Sequence, residues 1–113
     1  MNEPRQMDHE MTIRQLGGKQ IFAMAFRHAL TEKNAIVLFV ARGLKTMWRA
    51  DRVRIELNDD DTYSVESARY DRRKLEYRRL DGRTMVYADD LRATVESLLG
   101  VRLTLGTMQA VAS

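Results

Sequence analysis

Arg52-Val53-Arg54-Ile55-Glu56-Leu57, then Asn58-Asp59-Asp60-Asp61, then Thr62-Tyr63-Ser64-Val65-Glu66-Ser67-Ala68, is the stretch that decides the fold. The opening residues alternate strictly: Val53, Ile55 and Leu57 fall on one side, Arg52, Arg54 and Glu56 on the other. A period of two is that of a strand with one face on a core and one in water. The Asn and Asp cluster that follows satisfies its own backbone in a turn. Thr62 to Ala68 then reads as a second strand with Tyr63 and Val65 on the core side, and the whole stretch as a β-hairpin.

Toward the N-terminus, Ile36 to Arg42 is apolar on both faces and reads as a central strand. Thr31-Glu32-Lys33-Asn34 is a polar turn. Before it, Lys19 to Arg27 reads as a strand, with Phe22, Met24 and Phe26 on one face and Ile21, Ala23 and Ala25 on the other. These two form another hairpin. Asp8 caps a short helix through Glu10, Met11, Ile13 and Leu16, which Gly17-Gly18 ends.

Toward the C-terminus, Tyr70 to Leu80 alternates Leu75 and Tyr77 with charges and reads as a solvated edge strand, guarded against pairing by its charge. Asp81-Gly82 is the next turn. From Asp89 to Leu99 the apolar positions Leu91, Val95, Leu98 and Leu99 recur at i, i+4, i+7 and i+8, a helix with one buried stripe that Gly100 ends. Val101-Arg102-Leu103 adds a short strand or packs on the helix. The expected fold is α+β: a short N-terminal helix, a four- to five-stranded mainly antiparallel sheet built from hairpins, and a C-terminal helix on one sheet face. Residues 8–105 form the single domain, with flexible tails at 1–7 and 106–113.

Gln15-Leu16-Gly17-Gly18, Phe22-Ala23-Met24, Val53-Arg54-Ile55-Glu56-Leu57-Asn58 with Asp61-Thr62-Tyr63, Val86-Tyr87-Ala88-Asp89-Asp90-Leu91 and Leu103-Thr104-Leu105 occur in this order. With that spacing, residues 13–105 resemble a family of small uncharacterised proteins encoded by bacteriophages and other bacterial mobile elements. Ala25-Phe26-Arg27-His28 departs from the family's Thr-Gly-Ala-Lys-like turn, and Leu99-Gly100-Val101 from its Thr-Gly-Leu. The resemblance implies a mobile-element origin and no independent enzyme; it carries no catalytic residue and no partner to this chain.

With 113 residues, 44% hydrophobic and 31% charged, the chain has room for one cored domain and is not a disordered tail. The absence of Cys excludes a disulfide framework, a thiolate metal site and a Cys nucleophile. The N-terminus lacks the apolar stretch of a signal peptide, and the longest apolar run, Ala35 to Ala41, is far too short to span a membrane, so a cytoplasmic protein is expected. The formal charge is only +3, but 15 Arg stand against 4 Lys. Guanidinium forks suit phosphates, carboxylates and aromatic faces; a GC-rich genome favours Arg codons as well.

The Arg cluster at 69–83 is the strongest functional signal. Arg69, Arg72, Arg73, Lys74, Arg78, Arg79 and Arg83 lie in this stretch with Tyr70 and Tyr77 among them, a combination suited to phosphate contacts and base stacking. Asp71, Glu76 and Asp81 intervene, so a charge-guarded edge or a site for an acidic protein fits the same residues. A second basic group, Arg42, Lys45, Arg49, Arg52 and Arg54, flanks Trp48, which either anchors an interface or covers the open end of the core. Asp59-Asp60-Asp61 is a turn rather than a metal site, since adjacent carboxylates point apart. His9 and His28 are isolated, and no nucleophile, cofactor or phosphate-loop motif is present. The expected function is a non-enzymatic accessory protein, without cofactor, that binds nucleic acid or a nucleic-acid-handling complex. The alternative is a protein-interaction module acting on a host system, and an exposed edge strand offers a route to a homodimer.

Overall fold

A computed structural model describes residues 6–103. The Asp8 carboxylate caps α1 (His9–Gln15) by accepting the Met11 N–H at 3.1 Å. Gly17 and Gly18 follow with φ of 120° and 97°, a conformation that side chains rarely allow. The chain passes directly into α2 (Lys19–Ala25).

The strand expected over Lys19–Arg27 is therefore corrected to a helix followed by β1 (Phe26–Thr31). An almost unbroken apolar run satisfies periods of 2 and 3.6 alike. Good helix formers (Lys19, Gln20, Ala23, Met24) and the Gly18 N-cap favour the helix. Ile21 and Ala25 are then buried one turn apart, and the rings of Phe22 and Phe26 stand 5.5 Å from each other. Thr31 belongs to the strand, and the polar turn shortens to residues 32–34.

The other strands are β2 (Ala35–Val40), β3 (Arg52–Leu57), β4 (Tyr63–Asp71) and β5 (Glu76–Val86). The five form an antiparallel sheet in chain order, β1-β2-β3-β4-β5. Ile36 opposes Ile55, Leu38 opposes Val53 and Ile55 opposes Val65, so these residues line one apolar face. On that face α3 (Leu91–Leu99) packs against β4 and β5, burying Leu91, Val95, Leu98 and Leu99. α2 packs on β1, with Ile21 and Ala25 in the same core. The chain is α+β, with its helices on one side of the sheet.

Two expectations near the C-terminal hairpin are also corrected. Tyr70 to Leu80 is not one strand: it holds the end of β4, a turn at residues 72–75 and the start of β5. Asp71 supplies the turn signal, accepting the backbone N–H groups of Arg73 at 2.9 Å and Lys74 at 3.2 Å, while Leu75 takes φ of 56°. Asp81-Gly82 is not a turn but lies inside β5, opposite Ser67 and Glu66. Leu80 is the extra residue of a bulge beside it, so the Asp-Gly pair marks a strand irregularity instead of a chain reversal.

Gly100 ends α3 with φ of 70°, and its N–H and that of Val101 donate to the Glu96 carbonyl at 2.8 and 3.2 Å. Val101 and Leu103 pack into the core without forming a strand, the Leu103 N–H donating to Glu96 Oε2 at 2.6 Å. Met7, assigned to a tail by the sequence, is buried and donates its N–H to the Lys33 carbonyl at 2.8 Å. Residues 1–5 and 104–113, with the expected boundary at 105 and the C-terminal tail, lie outside the described residues. Among the described residues no helix is long and apolar enough to cross a membrane.

Candidate functional site

The two basic groups meet at one end of the molecule. The connection between β2 and β3 carries Arg42, Lys45, Trp48 and Arg49 and lies beside the far end of the β4–β5 hairpin. Thr46 Oγ1 closes this connection by donating to the Ala50 carbonyl at 2.6 Å. Trp48 and Arg49 both adopt the left-handed conformation, with φ of 54° and 59°. Trp48 is 58% exposed and does not cover the core, whereas Ala50 two residues on is buried in it.

Two open cavities flank Arg49. One, of about 490 Å³, is lined by Trp48, Arg49, Arg69, Arg78, Arg79 and Leu80. The other, of about 800 Å³, includes Arg27, Arg42, Lys45, Arg49 and Arg72, with Asp51 as its acid. Arg69 and Arg78 are opposed in the ladder between β4 and β5, so the hairpin turns both guanidinium groups to the same side. Among the described residues, none of Arg42, Lys45, Arg49, Arg69, Arg72 and Arg78 forms a salt bridge. Arg73 and Lys74 sit exposed in the hairpin turn, likewise without one.

The remaining basic candidates are neutralised locally. Arg52 Nε donates to Asp51 at 2.7 Å, Arg54 Nη1 to Glu56 at 2.7 Å, and Arg79 Nε to Glu66 at 3.0 Å. The hydrogen bond to Glu56 raises the Arg54 guanidinium above its ordinary value, with Glu32 adding a further attraction. Asp71 is held below the ordinary carboxylate range, first by the Lys74 N–H and then by that of Arg73; attraction from Lys74 and Arg69 is the lesser cause.

The face of the sheet away from the helices is lined by different chemistry. Phe39 on β2 opposes Arg52 on β3, which opposes Ala68 on β4, while Tyr70 and Tyr77 oppose each other on β4 and β5. The Arg52 side chain is only 13% exposed. Its guanidinium carbon lies 4.0 Å from the Tyr77 ring centroid, 4.8 Å from that of Phe39 and 6.0 Å from that of Tyr70. Asp51 holds it there and accepts the Tyr70 N–H through its other oxygen at 3.0 Å. A mainly apolar depression of about 220 Å³ runs over these residues toward Val37 and Leu30. Tyr77 is 61% exposed, and its ring is 5.1 Å from that of Tyr70.

Sequence reasoning missed Arg27, His28 and Phe39. Arg27 is the extra residue of a bulge between the pairs Phe26–Val40 and His28–Phe39. It lines the larger cationic cavity and also stands over Phe39, with its guanidinium carbon 5.6 Å from the ring. The His28 ring is 5.5 Å from Phe39. The available signal is the apolar Val37 and Phe39 on the outward side of β2, which the sequence reads only as the mark of a central strand.

Asp60 accepts both the Thr62 hydroxyl, at 2.6 Å, and its N–H, at 3.1 Å, which holds the carboxyl below its ordinary range and builds the turn. Among the described residues no three His, Asp or Glu side chains gather into a metal cage. No family model, curated protein or solved structure matches this chain.

Proposed function

We propose that this chain is a small non-enzymatic protein that binds nucleic acid, free or within a nucleic-acid-handling complex, through the cationic end of the molecule. The observation that carries the reading is the convergence there of Arg42, Lys45, Arg49, Arg69, Arg72 and Arg78, from two separate segments, without salt bridges among the described residues. Cations that no salt bridge engages are available to phosphates, and displacement of counterions from the nucleic acid drives such binding. Trp48 stands at the rim of the same surface. Its strained backbone in an exposed loop is the kind of feature that accompanies a contact site. A mobile-element origin, which the resemblance of residues 13–105 would imply, is part of the same proposal.

An acidic protein surface would satisfy the same cations, so the test offers both DNA and RNA, and a failure with both points to protein. Fluorescence anisotropy with labelled DNA and RNA oligonucleotides at about 50 and 200 mM salt is expected to show binding that weakens steeply at the higher salt. Arg49→Gln and Arg78→Gln are expected to weaken it further without loss of fold. Absence of binding to either polymer at the lower salt rejects the reading and leaves a protein partner.

A further inference from the structure

We infer that the open face of the sheet is a stacking platform for unpaired bases, so that the nucleic acid taken by this protein is single-stranded. This rests on the reading of the cationic end as a phosphate-binding surface, and extends it to the chemistry next to it. Phe39, Tyr70 and Tyr77 gather around one guanidinium, Arg52, on a sheet face left free by the helices. Arg52 is largely covered and holds the rings in place, while Tyr77, 61% exposed, offers a ring on which a base lies flat; a duplex keeps its bases turned inward, away from such a surface.

Continuity with the cationic end decides the occupant. The bulged Arg27 belongs to both surfaces, lining the larger cationic cavity while standing 5.6 Å over Phe39. Arg72, Arg73 and Lys74 lie in the turn that follows the Tyr70–Tyr77 pair by one further pair, Asp71–Glu76. A strand whose phosphates follow the cationic cleft around Arg27 or over this turn brings its bases onto Phe39 and Tyr77. Apart from Arg27, the Arg residues of the platform are paired, Arg52 with Asp51, Arg54 with Glu56 and Arg79 with Glu66, so the rest of the face contributes ring surface rather than net charge. The apolar depression beside Tyr77 is then the seat of a base.

The test compares a thymidine oligonucleotide of about 12 nucleotides, a duplex of the same length, and an abasic oligomer with the same phosphates and no bases. The full chain is expected to bind the thymidine strand roughly tenfold or more tighter than the abasic one, with closely similar salt dependence. Tyr77→Leu and the pair Tyr70→Leu/Tyr77→Leu keep apolar cover but remove the rings. They are expected to bring thymidine binding down toward the abasic level and to leave duplex and abasic binding unchanged. Equal affinity for thymidine and abasic strands overturns the inference while leaving the phosphate reading intact, and it does so on the unaltered protein, whatever the variants do to folding. Binding to none of the three overturns both. A dimer that Tyr77→Leu dissociates, with equal thymidine and abasic affinities, assigns the face to a second copy and overturns the inference.

Discussion

Trp48 and Arg49 follow one another in the left-handed region, with φ of 54° and 59°. For residues with a Cβ this conformation costs on the order of 1–2 kcal/mol each. Trp48 recovers little of that by burial, since it is more than half exposed. Trp48→Gly is therefore expected to leave the melting temperature unchanged or raise it, while weakening oligonucleotide binding; a marked fall in stability would show that Trp48 serves the fold. Arg52 is the opposite case. It is well covered, lies between Phe39 and Tyr77, and is held by Asp51. Arg52→Gln is expected to destabilise the chain by about 1 kcal/mol in urea unfolding, because it removes a partly desolvated cation from two ring faces. Arg52→Lys should restore only part, since an ammonium cannot lie flat between rings.

At the scale of elements, α3 holds the sheet and the β4–β5 turn holds the cations. Leu91 and Val95 are completely buried. Leu91→Asp or Val95→Asp is expected to unfold the domain or nearly so, because an unpaired buried carboxylate costs several kcal/mol; unchanged thermal melting in both would contradict the packing of α3. The turn depends on Asp71, whose folded value is lowered by the Lys74 and Arg73 N–H groups. A lowered carboxylate stabilises the fold fully above its unfolded value of about 3.9, and that contribution is lost as pH falls through the folded value. The difference in melting temperature between the native chain and Asp71→Ala is thus expected to be small but present near pH 6 and to shrink below about pH 4. An unchanged difference at the lowest pH would contradict this role. The elements legible in the sequence were those with a single period. Val53, Ile55 and Leu57 read as a strand and Leu91, Val95, Leu98 and Leu99 as a helix, because one face of each is apolar and the other is not. Lys19–Ala25 was not legible, since its apolar residues fit both periods and only helix propensity and the Gly18 N-cap tip the balance. The reversal after Asp71 was hidden for a different reason: a side-chain cap and a left-handed Leu75 replace the Gly that usually signals a turn.

Across the whole molecule, charge is sorted by place rather than by amount. A formal charge of +3 is small, yet carboxylates pair with Arg52, Arg54, Arg79 and Arg83 along the sheet while the cations of the two far connections stand without salt bridges among the described residues. The sequence supplied the identity of most of these residues but not their sorting, because Arg72 and Arg49 come together only through the register of β3 against β4. The most direct test of the central claim, that this end neutralises phosphates, is the slope of log affinity against log salt concentration for a thymidine oligonucleotide. It is measured on the native chain and on the variant with Arg49, Arg69, Arg72 and Arg78 all changed to Gln. The native slope is expected to be steeply negative, and the variant's shallower by about 0.7 for each phosphate contact removed, with thermal stability little altered because exposed charges contribute little to folding. Equal slopes in two folded proteins would contradict the claim.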